Sequence, residues 1–119
     1  MELKEGMYVR YIPTIGEYTQ KISKITKTKN CLLDTCYTLD DKEEVFSSHF
    51  DDILGASHNI IDLIEVGDYI NGMKVTKICF DKDGEKILTV SCYLELVNKD
   101  IKSIVTKEQF ESIKYSLEG

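Results

Sequence analysis

No stretch of this sequence approaches the roughly 18 consecutive apolar residues that a membrane-crossing helix needs. The opening Met1-Glu2-Leu3-Lys4-Glu5 lacks the basic start and apolar run of a secretory leader. A cytoplasmic, soluble protein with no membrane partner is the expectation. The four cysteines, Cys31, Cys36, Cys79 and Cys92, form no Cys-x-x-Cys pair, and neither histidine stands at zinc-ligand spacing from them. In a reducing compartment they read as small buried hydrophobes. No Gly-rich phosphate loop, Gly-x-Ser-x-Gly or His-Glu-x-x-His occurs. Neither an enzyme nor a cofactor is expected.

Two weaker metal signals have plainer explanations. His49, Asp51, Asp52 and His58 read as a capped, solvated turn. Asp81-Lys82-Asp83-Gly84-Glu85 resembles the start of a calcium loop but lacks the later ligands. A β-turn accounts for it. No metal is expected. The net charge is −6, and residues 1–59 and 60–119 each carry −3. Tight binding to a phosphate backbone needs a basic surface, so the balance argues against it without excluding a local basic strip.

With 42% hydrophobic residues the chain can bury a core. Its most informative feature is that it says the same thing twice. Leu3-Lys4-Glu5-Gly6-Met7-Tyr8-Val9 is answered by Ile64-Glu65-Val66-Gly67-Asp68-Tyr69-Ile70, and Lys21 to Ile25 by Lys74 to Ile78. Thr35-Cys36-Tyr37 matches Ser91-Cys92-Tyr93, with a competing register that pairs Leu33 with Leu88. Val45 to Ile53 matches Val105 to Ile113. Asn71-Gly72 predicts a tight hairpin turn, where the first copy runs through a loop from Tyr11 to Tyr18 that holds the only proline, Pro13. Thr106 and Gln109 predict a capping box that opens a short helix.

Strand, hairpin, strand, strand, helical turn, short strand resembles the order of an SH3-like barrel. The expected fold is mainly β: a tandem repeat of two small SH3-like β-barrels with short helical turns, spanning residues 1–57 and 60–119. Ile60, Ile61 and Leu63 need burial, and the seam between the copies is the expected place.

Single copies of arginine (Arg10) and alanine (Ala56) against 14 lysines and 14 isoleucines are what AT-rich codons produce. The stretch from Asn59 to Val75, with the ending Ile104 to Glu111, resembles a group of small proteins from phages and prophages of AT-rich Gram-positive bacteria of clostridial type. That resemblance covers about half of the chain and carries no catalytic residue. It implies a viral or prophage source and an accessory role. Such proteins often oppose host defences, so an inhibitor of a bacterial defence system, including an anti-CRISPR protein, is the expected class.

The partner is then a host protein, including a nucleic-acid-binding defence effector. Asp40, Asp41, Glu43 and Glu44 form the densest acidic cluster and suit a basic groove on such a partner; a solvated loop is the plain alternative. Ile15 and Tyr18, in the loop that the second copy lacks, suit a contact surface. Lys21, Lys24, Lys27 and Lys29 form the only basic run, with Tyr18 nearby; the alternative function is a nucleic-acid or nucleotide-binding barrel using Lys21, Lys24 and Lys27, and the plain reading of the run is a lysine-protected edge strand.

Overall fold

The computed structural model describes residues 3–12, 20–32, 34–46, 52–91 and 94–110. The chain divides into two compact units, Met1–Asn59 and Ile60–Gly119. The first carries β1 (Tyr8–Ile12), β2 (Lys21–Cys31), β3 (Asp34–Leu39), β4 (Glu43–Phe46) and β5 (Asp52–Ser57). The second carries β6 (Tyr69–Ile70), β7 (Met73–Phe80), β8 (Lys86–Val90), β9 (Leu94–Leu96) and β10 (Ile104–Val105). The protein is mainly β, and its two five-stranded sheets are antiparallel.

The first sheet runs β4-β3-β2-β1-β5, and the second, read from its far end, runs β9-β8-β7-β6-β10. Each is a four-strand meander whose fifth strand returns beside the first. Among the described residues neither sheet closes into a barrel: β4 and β5 are the edges of one, β9 and β10 of the other.

Alternation along the strands builds one core per unit. Val9, Tyr11, Ile25, Tyr37 and Leu39 form the first, with Met7, Val45, Ile53 and Ala56 packed against them. Ile61, Ile64, Ile70, Val75, Leu88, Val90 and Leu96 form the second. Full burial of each aliphatic side chain contributes about 1.5–3 kcal/mol. Of the three residues expected at the seam, Ile61 has another place. A 3-10 turn, Ile60–Leu63, precedes Ile64, so Ile61 and Ile64 stand three residues apart and enter the second unit's own core.

Matching backbone bonds show how the units correspond. Gly6 N donates to Ile25 O at 2.8 Å, and Gly67 N donates to Val75 O at 2.9 Å. Ile25 N returns to Met7 O, and Val75 N to Asp68 O, both at 2.8 Å. Register shifts follow at the same place, between Ile25 and Lys27 and between Val75 and Lys77. Thr26 and Thr76 sit at these bulges and donate their hydroxyls to Thr38 O and Thr89 O, each at 3.2 Å.

The first sequence match therefore lies in equivalent places, but the other three need new registers. Ile25 corresponds to Val75, whereas residue matching paired it with Ile78. Tyr37 corresponds to Leu88, since Tyr37 opposes Val45 as Leu88 opposes Leu96. Val45 thus answers Leu96, while Val105 lies in β10 beside β6. The Lys-Ile-Thr vocabulary of these strands fits several registers; the bulge and its backbone bonds select one.

Local signals hold the second unit together. Asn71 and Gly72 have φ of 53° and 82°, as the tight turn between β6 and β7 requires. Asn71 also braces the segment before β10: its Oδ1 accepts from Lys102 N at 2.8 Å and Ser103 N at 3.1 Å, and its Nδ2 donates to Asp100 O at 2.9 Å. Thr106 and Gln109 form the capping box: Gln109 N donates to Thr106 Oγ1 at 3.1 Å, and Thr106 N donates to Gln109 Oε1 at 3.0 Å. The fully buried Asp68 accepts from Glu65 N at 2.8 Å and Lys107 N at 2.9 Å, tying the entry to β6 to the start of that helix.

Asn71→Ala removes these side-chain bonds and places a Cβ residue ill-suited to positive φ in the turn. A loss of about 2–4 kcal/mol is expected from urea unfolding. Asn71→Gly keeps the turn and loses only the bonds, so its loss is expected to be smaller.

Candidate functional site

Beyond Ile25 the bulge reverses which β2 residues face outward. Before it, Lys24 opposes Tyr8, on the side away from Val9 and Tyr11. After it, Lys27 opposes Thr38 and Lys29 opposes Cys36, again on the side away from Tyr37 and Leu39. Lys24, Lys27 and Lys29 therefore share one face, although a regular strand would put Lys24 and Lys27 on opposite faces. Lys24 Nζ sits 5.7 Å from the centre of the Tyr8 ring. Lys21 is separated from them, because it opposes Tyr11 on the core side.

On this outer face an open depression of about 510 Å³ is lined by Lys27, Lys29, Cys31, Cys36, Thr38, Glu44 and Phe46, together with Thr28. The register arranges them in rows. Lys27, Thr38 and Glu44 stand side by side across three strands, and Lys29, Cys36 and Phe46 form the next row. Phe46 is 40% exposed, and Leu32, at the adjoining hairpin tip, is 99% exposed. The Cys36 thiol is pushed up from its ordinary range by desolvation first and by the Glu44 charge next. It stays protonated at neutral pH, the state of an inert thiol. Cys31, Cys36 and Cys79 are free.

The acidic cluster lies at the β3–β4 hairpin, and Asp40, Asp41, Glu43 and Glu44 are all exposed. Two of them also shape the turn. Asp40 and Asp41 have φ of 54° and 58°, values that Asp tolerates better than most side chains. Asp40 Oδ1 accepts from Lys24 N at 2.9 Å, and Asp40 N donates to Lys24 O at the same distance. Ser91 takes the corresponding place in the second unit with φ of 49°. Glu43 and Glu44 alternate on β4, so Glu44 borders the depression while Glu43 follows Val45 toward the core side.

Other expected features resolve simply. The Asp81 turn is a β-turn: Asp81 Oδ1 accepts from Asp83 N at 2.8 Å and Glu85 N at 2.9 Å, and Gly84 has φ of 83°. Its carboxylate is engaged by backbone. Among the described residues no group of three metal-ligating side chains comes together, and no helix is long and apolar enough to cross a membrane. Ile15, Tyr18, His49 and Cys92 lie outside the described residues. Lys29 belongs to the basic run read from the sequence, but sequence reasoning missed Cys36 and Phe46 as its neighbours; the signal that could have found them is a strand bulge, which spacing alone does not reveal.

Two outcomes test this geometry. Asp40→Ala is expected to cost about 1–2 kcal/mol in urea unfolding, because it loses the bond from Lys24 N and strains the turn, while Asp40→Asn retains most of the stability. Alkylation of Cys36 by iodoacetamide, followed by peptide mass spectrometry, should stay slow at pH 7 to 8. It should accelerate only above the ordinary thiol range.

No family model matches this chain, and no curated protein or solved structure is significantly similar to it.

Proposed function

We propose that this chain is a non-enzymatic accessory protein of phage or prophage origin that acts by binding, inhibiting a bacterial defence system in the host cytoplasm through protein–protein contact. A nucleic-acid-binding defence effector, such as a CRISPR nuclease, is the kind of partner that fits. We read each unit as an SH3-like barrel left open at one edge. The strand order supports that reading, since a four-strand meander with a returning fifth strand is the order of such a barrel.

The observation that carries the binding reading is the β3–β4 hairpin. Four exposed acidic residues, Asp40, Asp41, Glu43 and Glu44, stand along this hairpin at the edge of a sheet, with Asp40 engaged by Lys24 N and with Glu43 and Glu44 on opposite faces of β4. Clustered like charges repel, and a basic groove on a partner would relieve that repulsion. Such complementarity acts mainly on the association rate, which can change by roughly 10- to 1,000-fold at low salt.

Affinity capture from a bacterial host, read by mass spectrometry, identifies the partner, and surface plasmon resonance measures its rates. Asp41→Asn with Glu43→Gln and Glu44→Gln leaves Asp40 to hold the turn. The triple variant is expected to associate roughly tenfold more slowly at low salt, with a flatter salt dependence and an unchanged far-ultraviolet spectrum. Unchanged association would leave the hairpin as a solvated turn.

A second reading, a nucleic-acid or nucleotide-binding module, is favoured by the bulge that puts Lys24, Lys27 and Lys29 on one face, with Lys24 beside Tyr8. Salt-dependent binding of single-stranded oligonucleotides, weakened by Lys24→Gln, is its signature.

A further inference from the structure

The sequence holds four asparagines, Asn30, Asn59, Asn71 and Asn98, and only Asn71 precedes a glycine. The others precede Cys31, Ile60 and Lys99, whose side chains hinder approach to the following backbone nitrogen. Gly72 has no Cβ, and nothing lies within 4 Å of where one would stand. A backbone nitrogen so open can attack the side-chain amide before it. Against that, Asn71 is pinned. Its Oδ1 accepts from Lys102 N at 2.8 Å and Ser103 N at 3.1 Å, and its Nδ2 donates to Asp100 O at 2.9 Å. Its backbone N donates to Ser103 O at 3.0 Å. The carbonyl that would be attacked and the group that would leave are both held by a segment distant in sequence.

We propose that Asn71 is a deamidation site latched by the fold, closed while residues 100–103 are docked and open when that segment lifts from the turn between β6 and β7. The segment leads into β10, an edge strand of two residues, so lifting it breaks few ladder bonds and needs only local opening. In the open state Gly72 N attacks Asn71 Cγ. The N–Cγ bond forms, the Cγ–Nδ2 bond breaks, and ammonia leaves with the proton that Gly72 N gives up. Water then opens the cyclic imide. Cleavage of its bond at Cγ leaves aspartate in an ordinary backbone. Cleavage at the Asn71 main-chain carbonyl leaves isoaspartate, with the chain running through Cβ and Cγ. No oxidant or reductant takes part.

Either product works against closing the latch again. The new carboxylate still accepts from Lys102 N and Ser103 N, but the atom that faced Asp100 O is now an oxygen, and two acceptors repel. Isoaspartate also lengthens by one backbone atom a turn that has only two residues between the partners Ile70 and Met73. The modification is therefore one-way, and it loosens β10 from β6.

The full chain is incubated in mildly alkaline buffer, folded and in concentrated guanidinium chloride, and peptide mass mapping follows the mass gain of deamidation. In the denatured chain Asn71 is expected to react well ahead of Asn30, Asn59 and Asn98. In the folded chain it should react at least about tenfold more slowly than in the denatured one. Lys102→Pro removes one donor to Oδ1 and should speed the folded chain's reaction severalfold, with the far-ultraviolet spectrum checked alongside. Should that variant fail to fold, the unaltered sequence carries the test: its deamidated fraction, separated by ion exchange, should show faster hydrogen exchange at Lys102 and Ser103 and a lower urea midpoint. Equal rates in folded and denatured chains remove the latch, and no lead for Asn71 in the denatured chain removes the site. A deamidated fraction with unaltered exchange and midpoint removes the consequence. Any of the three overturns the proposal.

Discussion

The bulge that follows Ile25, and its twin after Val75, is the constraint on which the rest of this structure depends. A β-strand alternates its faces without exception until an extra residue is inserted. At Thr26 and Thr76 one residue is taken out of register, and each threonine hydroxyl binds a carbonyl of the neighbouring strand. Ile25 can then face the core with Leu39, while Lys27 and Lys29 turn outward. Without that insertion the strand would carry its lysines toward Tyr37 and Leu39. Burying an ammonium group without a partner is far costlier than the bond that the bulge interrupts.

The bulge also explains why one face has two characters. Its row of Lys27, Thr38 and Glu44 has a counterpart in Lys77, Thr89 and Glu95 of the second unit, whereas the next row, Lys29, Cys36 and Phe46, meets Cys79 and Ile87 there. Two sheets of the same strand order carry two versions of this face, and differences between them cost the fold little where they lie away from its cores. The acidic hairpin follows the same economy. Asp40 holds the turn against β2, as its bond from Lys24 N shows, while Asp41, Glu43 and Glu44 are left exposed. Charge at that tip is therefore partly structural and partly available to a partner, and the two roles fall on different residues.

Much of the local architecture was legible in advance because its causes are local. Asn71-Gly72 meets a steric requirement of the turn by itself, Thr106 and Gln109 satisfy each other's backbone within one helical turn, and Asp81 with Gly84 closes its own loop. Of the four matched blocks, the first was legible, where Gly6 and Gly67 take positive φ. The register beyond the first strand was not. Lys21 to Ile25 resembles Lys74 to Ile78 in residue type, yet Ile25 corresponds to Val75. Sequence similarity counts residues, whereas strand pairing counts hydrogen bonds, and a bulge makes the two counts differ.

By itself the sequence determined that this is a β-rich chain, where its tight turns fall, and that its charge is acidic and evenly divided. These follow from composition and from steric rules acting within a few residues. Tertiary structure alone decided that Ile61 and Ile64 serve the second unit's own core, that Lys21 parts company with Lys24 and Lys27, and that Lys29, Cys36, Glu44 and Phe46 meet around one depression. Each of those outcomes depends on which strand lies beside which and on where the register slips. They are properties of pairing between distant segments, and no single segment contains them.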